Sequence, residues 1–241
     1  IILTGFYGNS NERPVLLYIS YHYNDNMLEL INPYVAKILI AAKDRDSVRQ
    51  ISIKIRESYG WTYKWVLELE KLGILKRDRQ EVFINKKNNF YRDMLKICTN
   101  LLKTNLSLSD AYLWPNLIGM EYRFTSTDSV FIWTKGGYNI GRGMDSYPIF
   151  IEILEKDKIA WQKYFDRFLI GYVFKNERKK GIYFVISTAD SIEKEYCEGI
   201  PVLPLTKTVE WAKKYSFNFE PALEMLDRLY DLKIGVKYAG A

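Results

Sequence analysis

The sequence predicts an α+β fold for this chain of 241 residues. Several segments carry apolar residues at helical spacing, whereas others alternate or form short apolar runs, as strands do. The order of these segments adds a second argument. Helical segments and one hairpin come first, and a mixture of strands and helices follows, so we expect two folding units along the chain.

Composition narrows the functional classes. An apolar content of 48% without any long apolar run predicts a cytoplasmic protein with no membrane-spanning segment. Cys98 and Cys197 lie far apart, and His22 is the single histidine of the chain. We therefore expect no metal site, no cofactor and no catalytic imidazole, and a non-enzymatic function is favoured.

The positive charge of the chain is concentrated in one window. The net charge is +6, and the stretch from Lys43 to Arg92 contains thirteen lysines and arginines against seven acidic residues. That window therefore carries the whole excess. Because phosphate binding requires cations gathered on one surface, the window is the first candidate for a polyanion-binding surface.

Residues 1–30 are predicted to form a β-rich extension. The runs "IILTGFYG" and "PVLLYISYHY", separated by the turn-forming "NSNER", indicate a hairpin. Met27 stands just before the first helix, so a leader segment that ends before Met27 is an alternative interpretation. The residues alone leave both open.

Residues 31–87 predict three helices and a hairpin. Asn32 and Pro33 are typical of the start of the first helix, and Ser47 of the start of the second. The third helix is expected from about Thr62 to Leu72, before Gly73. The segment "ILKRDRQEVFI" then predicts two short strands joined at "DRQ", with two arginines near the tip.

The spacing within the third helix predicts which side chains face outward. Thr62, Val66 and Leu69 recur at i, i+4 and i+7 and should face the other two helices. The opposite side should present Trp61, Lys64, Glu68 and Lys71, flanked by Tyr63 and Leu67.

The string "SVRQISIKIRESYGWTYKWVLELEKLGIL", followed by the hairpin, resembles archaeal and bacterial winged helix-turn-helix transcriptional regulators. The resemblance covers about a quarter of the chain. It implies a winged-helix domain at residues 31–87 that binds double-stranded DNA, with its third helix in the major groove.

Nine residues are the candidate DNA contacts on this interpretation. They are Trp61, Tyr63, Lys64 and Leu67 for base edges, Ser47, Arg49 and Gln50 for phosphates at the start of the second helix, and Arg77 and Arg79 on the wing. The alternative is a protein-interaction module whose charges only solvate a surface.

Residues 88–106 predict a connector helix with a broad apolar face. That face can pack on its own chain or on a second copy. We expect a homodimer, because proteins that bind paired half-sites are commonly paired themselves.

Residues 107–241 predict an α+β C-terminal domain for dimerisation, ligand binding or partner binding. Strands are expected at "EYRFT", "SVFIW", "PIFIEIL" and "GIYFVIS", and helices at "KDKIAWQKYFDRFL", "LTKTVEWAKKY" and "EPALEMLDRLYDL".

The segment "WTKGGYNIGRGMDSYPIFIEI" is a possible ligand loop, with candidate residues Lys135, Gly136, Gly137, Arg142 and Asp145. It weakly resembles the nucleotidyltransferase-like proteins of abortive-infection systems, in which a strand ends in a glycine pair and two aspartates on the next strand hold metal ions.

In that comparison Asp145 matches the first acid, but Tyr147 stands where the second aspartate belongs. The resemblance therefore implies a degenerate domain that binds without metal catalysis. It keeps two alternative functions open, a nucleotidyltransferase-like nucleotide-binding protein and an antitoxin-like protein that binds a partner. An ordinary Gly-rich turn is the third interpretation.

Overall fold

The computed structural model describes residues 32–104, 108–140, 142–143, 145–174 and 177–236. These residues form a mixed α+β structure, as the sequence predicts. The expected hairpin within residues 1–30, and the alternative start at Met27, lie outside the described residues.

The first unit begins with three helices, α1 (Pro33–Ala41), α2 (Val48–Ile55) and α3 (Tyr59–Lys71). The Asn32 side chain accepts a hydrogen bond of 2.9 Å from the backbone N–H of Val35, so the predicted cap of α1 is confirmed. Such a cap supplies an acceptor for an N–H group that has no partner within the helix.

Helix α3 begins three residues before the predicted start at Thr62. The Ser58 side chain accepts a hydrogen bond of 3.3 Å from the backbone N–H of Trp61, which makes Ser58 the N-cap. Gly60 therefore belongs to the first turn of the helix, although glycine has a low helix propensity.

The predicted hairpin is confirmed as β2 (Leu75–Asp78) and β3 (Glu81–Ile84). A strand that the sequence did not predict, β1 (Asp46–Ser47), pairs antiparallel with β3. Two residues are too few to show a strand periodicity. Strand β1 pairs with Glu81 and Val82, so it ties the part of the hairpin next to the turn to the start of α2.

Helix α4 (Asn89–Thr104) forms in the segment predicted to be helical and packs on α1. Its broad apolar face is divided between two environments. Tyr91, Met94 and Cys98 are buried, whereas Phe90 is 50% exposed and Ile97 is 44% exposed. The helix thus packs on its own chain and leaves one apolar edge open.

The second unit is built on a six-stranded sheet. Its spatial order is β6 (Gly171–Val173), β7 (Gly181–Ala189), β5 (Ser146–Leu154), β4 (Tyr122–Phe124), β9 (Ile200–Val202) and β8 (Glu195–Cys197). Strand β5 pairs parallel with β7 and antiparallel with β4. The expected strands at "EYRFT", "PIFIEIL" and "GIYFVIS" are confirmed as β4, β5 and β7.

The described part of this unit also has the helices α5 (Leu108–Ile118), α6 (Ser126–Trp133), α7 (Lys158–Phe168), α8 (Leu205–Lys214) and α9 (Ser216–Tyr230). Helix α5 packs on α1 and α2, and α9 packs on α8. The three expected helices are confirmed as α7, α8 and α9, although α9 starts earlier than expected. A short 3₁₀ turn, Glu155–Asp157, precedes α7.

The strand expected at "SVFIW" is wrong, because these residues lie in α6. A short apolar run bounded by polar residues is compatible with either structure. Here Asp128 and Ser129 are buried together with Val130, Ile132 and Trp133, so burial is not confined to alternate residues.

Among the described residues, no helix combines the length and the apolar character needed to cross a lipid bilayer.

Candidate nucleic-acid interface

Helix α3 is held in place by one buried side. Thr62, Trp65, Val66 and Leu69 are buried against the rest of the first unit. The helix packs on α1, α2 and β2. The inward positions predicted from the i, i+4, i+7 spacing are thus confirmed, and Trp65 is buried beside them.

The outer side of α3 is open to solvent. Tyr59 is 54% exposed and Trp61 is 39% exposed, and Lys64 and Lys71 are exposed as well. Single exposed aromatic residues are ordinary, whereas neighbouring exposed rings form a patch that can meet a partner. The C-terminal unit therefore leaves this side of α3 accessible.

Trp61 and Lys64 belong to one ordered cluster. The Trp61 ring meets the rings of Tyr34 and Trp65 edge to face, at centroid distances of 5.7 Å and 5.8 Å. The Lys64 ammonium lies 5.1 Å from the Trp61 ring and 5.0 Å from the Trp65 ring. These cation–π contacts hold the ammonium in place while it stays accessible.

A second chain of contacts joins α3 to the hairpin. Tyr59 stacks on Tyr63 at 5.8 Å. The Tyr63 hydroxyl accepts a hydrogen bond of 3.1 Å from Arg77, and Arg77 Nε donates to Glu70 at 2.6 Å. The hydrogen bonds to Glu70 and then to Tyr63 raise the pKa of Arg77. Arg77 thus braces the hairpin against α3 and does not lie at its free tip.

Strand alternation explains why Arg77 points inward. The burial of Leu75, and of Val82 opposite Arg77, places one side of the hairpin against the helices. Lys76 lies on the other side and is exposed. Since alternation is readable in the sequence, Lys76 could have been preferred to Arg77 as the outward cation of the hairpin.

The tip of the hairpin carries Arg79 as predicted. Arg79 is exposed and occupies the two-residue turn with a positive φ of 53°. The exposed carboxylates of Asp78 and Glu81 face each other at the ends of the two strands. These carboxylates partly offset the positive charge of Arg79. The exposed Lys76 supplies a further cation on the hairpin.

The start of α2 uses two of the predicted phosphate ligands for its own cap. Ser47 accepts a hydrogen bond of 3.1 Å from the Gln50 N–H, and the Gln50 side chain accepts one of 2.7 Å from the Ser47 N–H. This reciprocal arrangement is a capping box. Arg49 is exposed and remains the cation at this helix terminus.

Internal ion pairs do not consume the positive excess of the window. Lys54 pairs with Asp46 at 2.6 Å, and Arg77 pairs with Glu70 at 2.6 Å. Each pair removes one cation and one carboxylate together. The excess of +6 between Lys43 and Arg92 therefore stays on the surface of the first unit.

Two further features of this surface were missed from the sequence. Tyr59 belongs to α3 only because Ser58 caps the helix, and a predicted start at Thr62 left it outside. Gly60 has no atom within 4 Å of the place where a β-carbon would lie, so the backbone of the first turn is itself accessible.

Two of the residues predicted to contact base edges, Leu67 and Tyr63, are half-buried.

The Gly-rich segment does not gather its candidate residues at one place. Lys135, Gly136 and Gly137 follow helix α6 and do not end a strand, which corrects the expectation from the sequence. A β-carbon on Gly137 would collide with Met225 of α9, so this glycine allows close helix packing. The glycine pair of the transferase comparison therefore has a different structural setting here.

Arg142 belongs to a buried cluster that the sequence did not indicate. Its guanidinium donates to Asp128 at 2.7 Å and to the backbone oxygen of Pro148 at 3.1 Å. Asp128 also accepts from the Tyr112 hydroxyl and from the Phe150 N–H. Burial raises the pKa of Asp128, and the positive charge of Arg142 opposes that rise. The cluster ties α5, α6 and β5 together.

The carboxylates of Asp145 and Glu152 lie in different surroundings. Asp145 borders a depression lined by Arg178, Lys179 and Lys180. Glu152 pairs with Arg123. Within the described ranges, no group of three or more His, Cys, Asp or Glu residues could hold a metal ion. Tyr147 is buried, with the Arg142 guanidinium 4.5 Å from its ring centroid.

Comparison with known proteins finds no protein-family model, no curated protein and no solved structure that matches this chain.

Proposed function

We propose that the protein is a sequence-specific regulator of transcription that binds double-stranded DNA through a winged helix. Helix α3 is the recognition helix and the β2–β3 hairpin is the wing. The observation that carries the proposal is the open side of α3, where exposed aromatic rings and Lys64 lie on the unit that holds all the surplus positive charge.

The dimensions of α3 suit this role. An α-helix fits the major groove of B-DNA, and side chains of its first turns then reach base edges. Lys64 can donate to O6 or N7 of guanine from its position above two tryptophan rings. Trp61 and Tyr59 can contact thymine methyl groups and sugars, and Gly60 lets the backbone of the first turn approach the groove.

Phosphate contacts are assigned to the flanks of α3. Arg49 and the backbone N–H groups at the start of α2 face one side, since helix N-termini favour anions. Lys76 and Arg79 on the hairpin serve the other side. Arg77 has a positioning role, because its hydrogen bonds to Tyr63 and Glu70 set the angle between hairpin and helix.

We also propose that the protein acts in the cytoplasm as a homodimer. The exposed Phe90 and Ile97 on α4 offer an apolar edge that a second copy can cover. In a dimer that binds two half-sites, the two recognition helices lie about 34 Å apart, one turn of B-DNA.

Salt dependence tests the proposal. We expect the logarithm of the affinity for a duplex to fall linearly with the logarithm of the salt concentration, because cation binding to phosphates releases counterions. Arg79→Ala should reduce that slope by about one for every sequence alike. Lys213→Ala, on the exposed side of α8 in the other unit, is the matched control and should leave the slope unchanged. An affinity that is insensitive to salt contradicts the proposal.

A further inference from the structure

A cavity of about 440 Å3 lies where the two units meet. The first unit contributes Arg56, and the second unit contributes Leu108 and Tyr112 from α5, Phe131 from α6 and Ile200 from β9. A cavity of this size, lined mostly by apolar side chains with a few polar groups, is typical of a site for a small organic molecule.

Among the polar side chains that line the cavity, one cation has no carboxylate partner in the described part of the chain. The Tyr112 hydroxyl donates to the buried Asp128 and is thereby occupied. Lys135 and Glu198 pair with each other at 3.5 Å. Among the described residues that line the cavity, Glu198 is the single carboxylate. The Arg56 guanidinium lies beside the hydroxyl of the buried Tyr122, which is neutral and leaves the charge of Arg56 for a bound anion.

The root of Arg56 is fixed by contacts with α5. The Asn116 side chain donates to the backbone oxygens of Ile53 and Lys54, at 3.1 Å and 2.8 Å, and so caps the end of α2. Gly119 leaves room for Lys54, since a β-carbon there would lie 2.7 Å from Lys54 Cε. Arg56 itself has a positive φ of 55° and ends the helix.

Arg56 also stands next to the start of the recognition helix. It is the C-cap of α2, and Ser58, two residues later, is the N-cap of α3. A molecule that binds the Arg56 guanidinium therefore contacts a residue at the junction between the two helices. Such a molecule shifts the equilibrium only if it binds one orientation of α3 more tightly than another.

We propose that this cavity binds a small monoanion with an apolar body, such as an aromatic or medium-chain carboxylate, with Arg56 as its counterion. Binding there is linked to the order of the α2–α3 junction, and through it to DNA. The link to DNA rests on the proposed function, whereas the ligand site does not.

The ligand site is tested with the aromatic monoanion 1-anilinonaphthalene-8-sulfonate on the free protein. We expect saturable fluorescence at one probe per chain and displacement by decanoate but not by decylamine. Arg56→Met should weaken probe binding at least fivefold, whereas Arg228→Met, on the exposed side of α9, should leave it unchanged. Equal binding by both variants, or binding without saturation, overturns the site.

A second variant guards against a misfolded Arg56→Met protein. Leu108→Trp, at the first position of α5, places bulk in the cavity without altering any charge. It should reduce probe binding at least fivefold while the circular dichroism spectrum stays that of the original chain. Unchanged probe binding by this variant contradicts the assigned location.

The link to α3 is measured by amide hydrogen exchange in the absence of DNA. Saturating decanoate should slow exchange at residues 57–63, and this effect should vanish in Arg56→Met. If decanoate binds but exchange at these residues does not change, the link is overturned although the site stands. Failure to bind any duplex refutes the proposed function. The probe experiment still tests whether the cavity binds an anion, and hydrogen exchange still tests whether that binding orders the start of α3.

Discussion

Replacing Lys64 by methionine separates recognition from stability. The change removes the ammonium that lies 5.1 Å and 5.0 Å from two tryptophan rings but keeps the length of the side chain. At an exposed site a cation–π contact contributes about 0.5–1 kcal/mol. We therefore expect the free energy of unfolding to fall by about 1 kcal/mol, which lowers Tm by roughly 2–4 °C.

The effect on the preferred duplex should be larger. A good contact between a basic side chain and guanine contributes about 1–3 kcal/mol of discrimination, which corresponds to a loss of roughly 5-fold to 150-fold in affinity. The loss on a scrambled duplex should be only that of one surface charge. Lys64→Met thus reduces the ratio between the two affinities.

Fluorescence anisotropy at fixed salt measures both affinities, with a preferred duplex selected from a random pool. Lys213→Met on α8 is the control, because it removes an exposed lysine of the other unit. An equal loss on both duplexes would assign Lys64 to the phosphate backbone. No loss on either duplex would refute the placement of α3 in the groove.

Three further predictions concern the remaining parts of the structure. Asp128→Asn should lower the free energy of unfolding by about 3–5 kcal/mol, because it leaves the buried Arg142 guanidinium without its counter-charge; chemical denaturation measures this, and a change below about 1 kcal/mol would contradict the ion pair. Gly60→Leu should leave Tm within a few degrees, since nothing lies within 4 Å of the new β-carbon, but should abolish tight duplex binding; unchanged binding would mean that the first turn of α3 does not approach DNA. The hydrogen bond from the Ile84 N–H, followed by that from Lys86, lowers the pKa of Asp44 in the folded protein. The contribution of Asp44 to stability is therefore present above about pH 3.9 and is lost as the pH falls through the lower folded-state pKa. An NMR titration of Asp44 with an ordinary midpoint would contradict the hydrogen bond from Ile84.

The inward side of α3 could be predicted because helical spacing survives in a single sequence. Thr62, Val66 and Leu69 are buried where the i, i+4, i+7 pattern places them. The first residue of α3 was harder to predict from the sequence. It depends on the hydrogen bond to the Ser58 hydroxyl, and glycine two residues later favours a break in the helix. The boundary therefore required the observed cap.

Other features depend on contacts between distant segments. The strand expected at "SVFIW" forms α6, whose Asp128 accepts a hydrogen bond from the Phe150 N–H across 22 positions. Neither partner signals the other in the sequence. In contrast, the inward direction of Arg77 follows from alternation with Leu75, so the sequence itself carries this signal.

Amide hydrogen exchange with and without a duplex locates the DNA-binding surface on the protein. We expect slower exchange at residues 47–50, 59–67 and 76–81 when a selected duplex binds, with no change at strands β5 and β7. Protection confined to the other basic segment, Arg178–Lys180, with α3 unaffected, would contradict it.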